Sequence, residues 1–206
     1  KSENILVIGG GGNQAGSIQS SMDILESGLL EKYNFNKVKV AGHPEGSPDI
    51  DDETLKKFLL AKEKIHSARV LDLEIVTQFF FEAEPFIKWD ALLDTIGVTL
   101  PVRVGFPGPA TFKTLLNFGL MSGVGNSLNF LKKNSNKIGD LLVKTTNDKL
   151  LMELVSARKF SKSKRPNNFH CYPFGGFEKT CHWLSAIQNG DFIVENEKLV
   201  FHKKIF

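Results

Sequence analysis

A single carboxamide interrupts an apolar stretch in the middle of the chain. Gln78 follows the apolar residues 75–76 and Thr77, and three phenylalanines come directly after it. A buried carboxamide needs hydrogen-bond partners, and its donor and acceptor can pair with the edge of a heterocycle. A core glutamine bonded to neighbouring backbone groups is an equally good interpretation. The sequence leaves both open.

A run of four glycines follows the first apolar segment, at residues 9–12. Glycine amides let a ligand approach the backbone closely, so Gly10 and Gly11 are candidates for binding a phosphate group of a cofactor. Residues 10–15 also match the G-x-G-x-x-[G/A] pattern of dinucleotide-binding sites. However, the acidic partner of the ribose is expected at the tip of the next strand, where residues 41–43 have none and Glu45 lies slightly late. A Rossmann-type nucleotide site therefore stays an alternative.

Histidine and cysteine add little further chemistry. His43 comes directly after a predicted strand, where a site role and a structural role are both reasonable. His170 lies within a predicted strand and is interpreted as a core histidine. Cys171 and Cys181 have no histidine or aspartate in metal-ligand register, so we expect inert thiols and no metal site. The remaining histidines are interpreted as helix-surface or tail residues: His66, His182 and His202.

Strands and helices must position these residues, and they alternate along the chain. Five segments are predicted as buried strands: Asn4–Ile8, Lys37–Ala41, Leu71–Phe80, Pro101–Gly105 and Asn168–Tyr172. Six segments have helical patterns: Ser21–Lys32, Asp51–Ala68, Pro85–Ile96, Ala110–Ser122, Lys149–Arg158 and Phe177–Ile187. The alternation, with no hairpin signal between strands, predicts a parallel sheet of right-handed βαβ units. A doubly wound open sheet and part of an eight-stranded barrel both fit.

The glycine, proline, aromatic and hydrogen-bonding residues concentrate where the predicted strands end. The helix-to-strand connections, such as Asn34–Asn36, lack them. Because the active site of a parallel α/β barrel is built on the loops that follow its strands, this one-sided pattern predicts a site there.

Composition excludes several classes of protein. The chain has 206 residues, of which 41% are hydrophobic and 24% are charged, and it has two cysteines. No apolar run approaches the ~20 residues of a membrane helix, so a cytoplasmic protein without a membrane partner is predicted. Residues 132–165 hold 10 basic and 3 acidic residues, but almost no aromatic residues lie among them. We interpret this block as a solvated helix face and an exposed loop (159–168), not as a nucleic-acid surface.

Taken together, the strand-end motifs resemble the methylenetetrahydrofolate reductase family. Order and spacing agree over about residues 4–187, with an apparent insertion around 67–72. The matching segments are Val40–Asp49 (V-A-G-H-P-E-G-S-P-D), Ile75–Phe81 (I-V-T-Q-F-F-F), Gly105 to Phe118, and Phe169–Tyr172 (F-H-C-Y). The T-Q-F-F-F strand and the P-E-x-x-P turn are fairly specific together.

The resemblance implies a (β/α)8 TIM barrel, with about five of the eight units in this chain. It implies one partial barrel domain over residues 1–206, whose stretch 188–206 is a C-terminal tail. The activity implied is that of an oxidoreductase of one-carbon metabolism and methionine biosynthesis. It would reduce 5,10-methylenetetrahydrofolate to 5-methyltetrahydrofolate through FAD, with NADH or NADPH as donor.

Residue roles follow from the same resemblance. The folate-binding residues would be Gln78, which hydrogen-bonds the pterin, Phe118, which packs against the alternating folate and nicotinamide, and Tyr172. His43 would lie beside the flavin, and a lysine near its pyrophosphate would fall on Lys64 or Lys62. The cofactor-binding residues implied are Gly10, Gly11, Ser21, His43 and Lys64.

The sequence also departs from the family at polar positions. Residues 9–11 are glycines where the family has R-G-D, and Ser47 and Gly176 replace a histidine and an arginine. The family's general acid, a glutamate of its first barrel strand, has no counterpart, so no catalytic residue is assigned. A flavin-free folate-binding subunit is therefore a further alternative.

The length fits the same picture. Five units over 206 residues average about 41 residues, so eight units need roughly 330, which is within the range of barrel enzymes. Lys1 would fall just ahead of the fourth strand of the family. We expect a partial barrel, completed by a longer chain, a second chain or a homo-oligomer.

Overall fold

The computed structural model describes residues 4–9, 16–68, 71–122, 144–145, 147–160, 163, 165, 167–196 and 198–203. Its strands are β1 Asn4–Val7, β2 Lys37–Gly42, β3 Asp72–Thr77, β4 Val102–Pro107, β5 Ala110–Thr111, β6 Lys144–Thr145, β7 Asn167–Tyr172, β8 Phe192–Glu195 and β9 Lys198–Phe201. Its helices are α1 Ser21–Glu26, α2 Leu29–Lys32, α3 Asp52–Ser67, α4 Ala83–Thr95, α5 Phe112–Ser122, α6 Asp148–Phe160 and α7 Phe177–Asn189. None of the described helices is long and apolar enough to cross a membrane.

The main sheet has five strands in the order β1-β2-β3-β4-β7. Strands β1 to β4 pair in parallel, with Val40 opposite Ile75 and Ile75 opposite Val102. Strands β2, β3 and β4 each lie beside the strand that precedes them, as in an α/β barrel. A Rossmann sheet instead reverses direction beside its first strand, which lies in the middle. Here β1 is at the edge, so the barrel-type α/β class is confirmed and the Rossmann alternative is wrong.

The chain folds into two compact units. The first unit comprises residues 1–78, 88–104 and 163–169, and the second comprises 79–87, 105–162 and 170–206. In the first unit, Val38, Val40, Leu73 and Ile75 of β2 and β3 are at most 1% exposed. These aliphatic side chains form the centre of its core. Lys39 and Glu74, which alternate with them, are only half-buried, so β2 and β3 have one fully buried face.

Hydrogen bonds within the first unit hold helix α3 near both of its ends. Its N-cap Asp51 accepts a hydrogen bond from the Thr54 amide at 2.9 Å. Near its other end, Glu63 accepts hydrogen bonds from the amides of Thr99 and Leu100. His66 is half-buried, and its Nδ1 accepts the amide of Leu73 at 3.1 Å. The prediction that His66 is a surface residue is therefore wrong, because its ring satisfies a backbone group of β3.

The loop 159–168 is predicted to be exposed, but Arg165 within it is buried. The Arg165 side chain is 2% exposed and contacts two acidic residues of α4. Its Nη1 donates to Asp90 Oδ1 at 2.9 Å, and its Nη2 donates to Asp94. The prediction is wrong at Arg165 because a charged side chain can be buried when carboxylates neutralise it, and sequence composition does not reveal those partners.

In the second unit, the loop after β4 packs against the loop after β7. A Cβ atom on Gly175 would lie 1.9 Å from the Pro109 carbonyl oxygen, so only glycine fits there. The Gly108 amide donates to the Tyr172 carbonyl at 2.9 Å. Trp183 of α7 is fully buried and packs against Phe106. The glycines that the sequence places at these strand ends therefore allow close contact between the two loops.

Two further predictions of secondary structure need correction. The segment 21–32 forms two short helices, because Gly28 adopts a left-handed φ of 70°. The segment predicted as a C-terminal tail contains an antiparallel hairpin of β8 and β9, with Asn196 at a φ of 48° in its turn. Its turn lacks the Asn-Gly or Asp-Gly signal on which hairpin prediction depends.

Candidate functional site

In the first unit, the ends of β2 and β3 are paired. Gly42 lies opposite Thr77, and the Gln78 amide donates to the Gly42 carbonyl at 3.0 Å. His43 and Gln78 are therefore the first residues beyond two adjacent strand ends. A Cβ atom on Gly42 would lie 2.5 Å from Ile75 and 3.1 Å from Trp89, so this glycine lets the Trp89 ring pack against β2.

A buried lysine lies beneath this edge of the sheet. Lys62 of α3 is 4% exposed, and its Nζ donates to the Ala41 carbonyl at 3.1 Å. Within the described part of the chain, no carboxylate lies within ion-pair distance of this ammonium group. Burial lowers the pKa of Lys62 to about 8. The lysine is thus a buried cation with a backbone carbonyl as its described partner.

His43 is electrostatically linked to Lys62. Burial is the main cause that lowers the pKa of His43 to about 4, and the charge of Lys62 contributes. Near pH 7 the imidazole is therefore neutral. It can offer one nitrogen as a donor and the other as an acceptor, and its ring can pack against another planar ring.

The other predicted cofactor residues lie in several places. Lys64 is exposed on α3, so of the two lysines it is Lys62 that lies beneath the strand ends. Ser21 is the first residue of α1 and is half-buried. The N-cap of α1 is Ser20, whose side chain accepts a hydrogen bond from the Asp23 amide. Gly10 and Gly11 lie outside the described residues.

The second unit contains an aromatic cluster. Its buried part consists of Phe79, Phe81, Ala110, Phe112 and Leu115. Against it pack four half-buried residues: Leu116, Phe118, Tyr172 and Phe174. Phe79 and Phe81 come from the segment after β3, Phe118 comes from α5, and Tyr172 ends β7. Side chains from three separate segments thus meet in one cluster.

Phe174 links the two predicted folate-binding residues of this unit. Its ring stacks on Phe118, with centroids 4.2 Å apart and planes 20° apart. It is also nearly parallel to Tyr172, at 5.6 Å and 12°. Phe79 meets Phe174 edge-on at 4.7 Å. The structure therefore brings Phe118 and Tyr172 to the same aromatic cluster, whereas Gln78 belongs to the first unit.

Sequence analysis did not single out Phe174 as a site residue. It lies in the loop Pro173–Gly176, directly after β7, where its amide donates to the Tyr172 carbonyl at 2.9 Å. The available signal was an aromatic residue just beyond a strand end, followed by two glycines. That signal resembles many ordinary loops, so it could not have distinguished Phe174 from a core residue.

The described residues do not support a metal site or a reactive thiol. No group of three or more His, Cys, Asp or Glu side chains there could hold a metal ion. Burial, with a smaller contribution from nearby Cys181, raises the pKa of Cys171 to about 12. Burial also raises the pKa of Tyr172 to about 12. Both groups are protonated near pH 7, so the site offers neutral, largely aromatic surfaces.

Comparison with known proteins supports the family resemblance. The chain is similar to methylenetetrahydrofolate reductase 2 of Saccharomyces cerevisiae. The two proteins are 24% identical over 160 residues, which cover 76% of this chain and 26% of the yeast protein. The chain thus matches about a quarter of the length of that relative. No family model matches the chain. The similarity confirms the resemblance that the strand-end motifs indicated.

Proposed function

We propose that this chain is part of a methylenetetrahydrofolate reductase-like oxidoreductase. In this proposal it reduces 5,10-methylenetetrahydrofolate to 5-methyltetrahydrofolate. The observation that carries the proposal is the convergence of Phe118 and Tyr172 on one half-buried aromatic cluster. The similarity to the yeast reductase and the barrel-type strand order give independent support.

The proposed folate-binding residues provide two kinds of recognition. Gln78 would orient the pterin, since a carboxamide can donate to and accept from the edge of that heterocycle. Phe118 and Tyr172 would pack against the ligand, as aromatic rings stack on planar heterocycles. The phenol of Tyr172 is neutral near pH 7, so this packing surface carries no charge.

The residues below the strand ends of the first unit fit an anionic nucleotide with a planar ring. The Lys62 ammonium group has no described carboxylate partner, and the neutral His43 ring lies near it. We propose that His43, Lys62, Ser21, Gly10 and Gly11 contribute to FAD binding, with Lys62 rather than the exposed Lys64 as the lysine. A bound flavin would supply the hydride-transfer chemistry, with NADH or NADPH as donor. The chain itself would bind, orient and shield the reactants.

The absorbance spectrum of the purified chain tests the flavin directly. A yellow protein that is bleached by NADH or NADPH and reoxidised by methylenetetrahydrofolate would support the reductase. A colourless protein that cannot be reconstituted with FAD would contradict the flavin mechanism. Residues 9–11 lack the family's R-G-D, which favours a flavin-free folate-binding subunit as the second candidate. Calorimetric titration of the colourless protein with 5-methyltetrahydrofolate would test that candidate.

A further inference from the structure

The ring of Phe174 covers a surface that a planar ligand would otherwise use. It is stacked on Phe118 at 4.2 Å, which is a contact distance for two flat rings. It also lies nearly parallel to Tyr172. Both neighbours are residues proposed above to pack against folate. In this structure their packing partner is therefore a side chain of the same molecule.

Phe174 contributes less to the core than the rings beneath it. Phe79, Phe81 and Phe112 are between 1% and 6% exposed, whereas Phe174 is half-buried and packs against them from outside. A half-buried ring can leave its position without opening a closed cavity in the core. The position of Phe174 thus resembles that of a bound ring more than that of a core residue.

The backbone on both sides of Phe174 makes contacts that a turn of the side chain would leave intact. The Phe174 amide donates to the Tyr172 carbonyl, and the Gly176 amide donates to the Pro173 carbonyl. Gly175 is in close contact with the Pro109 carbonyl. Rotation about the side-chain bonds of Phe174 would uncover Phe118 while the loop keeps its hydrogen bonds. Such rotamer changes are fast compared with loop rearrangement.

We propose that Phe174 competes with planar heteroaromatic rings for the surface of Phe118. A ligand ring stacks there only after Phe174 has turned away. Because every such ring displaces the same side chain, Phe174 lowers the affinity for all of them by the same factor. That the natural ligand is a folate rests on the proposed function, whereas the competition itself does not.

The test compares ring binding by the full chain and by Phe174→Ala, with 6-hydroxymethylpterin and nicotinamide mononucleotide as probes in calorimetric titrations. Removing the competing ring should tighten the binding of both probes by about twofold to tenfold, the range expected from one aromatic pair. Because both probes displace the same side chain, the ratio of their two affinities should stay unchanged. Phe177→Ala is the matched control, because Phe177 is 76% exposed in the same region. It should change neither affinity.

A second variant separates the loss of the ring from a loss of folding. Phe174→Leu keeps an apolar side chain but removes the flat ring, so it should also tighten ring binding. Unchanged or weaker binding of both probes in the two variants would overturn the proposal, as would the absence of ring binding in all proteins. If the variants bind pterin more tightly while no protein binds 5-methyltetrahydrofolate, the competition stands and the proposed folate function fails.

Discussion

Lys62 carries a charge in a place where a charge is costly. Burial lowers its pKa from 10.5 to about 8, so the unfolded chain binds more protons than the folded chain between these values. The free energy of unfolding should therefore rise with pH across the window from about pH 8 to 10.5. Lys62→Met should remove this rise, which amounts to about 3 kcal/mol. Urea unfolding at pH 7.5, 9 and 10 measures it.

Lys64→Met is the matched control for this measurement, because Lys64 lies on the same helix and is exposed. It should keep the pH dependence of the wild-type chain. An equal slope in Lys62→Met and the wild type would show that Lys62 titrates normally. The proposal that this lysine meets an anionic ligand would then lose its electrostatic basis.

The proposed role of the Gln78 side chain can be tested without breaking the hydrogen bond between its backbone and β2. Its contact with β2 is made by the backbone amide, which donates to Gly42, so Gln78→Ala keeps that hydrogen bond. If the carboxamide binds the pterin, the variant should lose about tenfold in affinity for 5-methyltetrahydrofolate, as expected for one or two lost hydrogen bonds. Calorimetric titration measures the loss. Gln188→Ala, at an exposed position, should bind like the wild type, and unchanged affinity in Gln78→Ala would exclude the role.

At the scale of elements, Arg165 attaches the segment before β7 to helix α4. Removing one partner of a buried ion pair leaves the other charge uncompensated. We therefore expect Arg165→Met to lower the free energy of unfolding by about 3 to 5 kcal/mol, measured by urea unfolding at pH 7. Lys159→Met, at an exposed position of the same basic block, should change it by less than about 0.5 kcal/mol. A loss below 1 kcal/mol in Arg165→Met would show that the contact with α4 contributes little.

The contact between the loops after β4 and β7 depends on Gly175. A methyl group 1.9 Å from the Pro109 oxygen cannot be accommodated without moving backbone. Gly175→Ala should lower the free energy of unfolding by about 2 kcal/mol or more and alter the near-ultraviolet circular dichroism of the adjacent aromatic cluster. Gly9→Ala, where the added methyl meets no atom within 4 Å, is the control. Equal stability of the two variants would contradict the close contact.

The sheet strands were the most predictable elements. Each of the five predicted strands is present. In β2 and the start of β3, aliphatic residues alternate with charged ones, which is the pattern of a strand with one buried face. Their ends were less predictable. The segment predicted to run to Phe80 ends at Thr77, the partner of the last residue of β2. The phenylalanines that follow belong to the aromatic cluster, and an apolar run does not show where pairing stops.

The place of a candidate residue in the fold was predictable where a motif fixed that residue at a strand end. His43 and Gln78 are of this kind, and both follow adjacent strands. Phe174 and Arg165 were missed because their environments depend on partners far away in the sequence, Phe118 for one and Asp90 for the other. From residue type alone, Phe174 is interpreted as an aromatic residue of a loop and Arg165 as a solvent-exposed cation.

At the scale of the whole molecule, protection against hydrogen exchange should follow the arrangement of the strands. The amides of β2 and β3 lie between paired neighbours and beneath fully buried side chains. Among the described strands, β8 and β9 pair only with each other, and their Ile193 and Val194 are 45% and 57% exposed. Mass-spectrometric exchange should find β2 and β3 slowest and the hairpin fast. A hairpin as protected as β3 would contradict this order.

The order of the strands also bears on how the chain is made. Because β2, β3 and β4 each lie beside the strand that precedes them, every pairing in this series joins segments that are close in sequence. From β2 to β4, each newly synthesised strand finds its first pairing partner in the strand made just before it. Short loop closures are entropically cheaper than long ones and favour fast folding. The first part of the sheet can therefore assemble strand by strand on the ribosome, before the segment that supplies β7 has been translated.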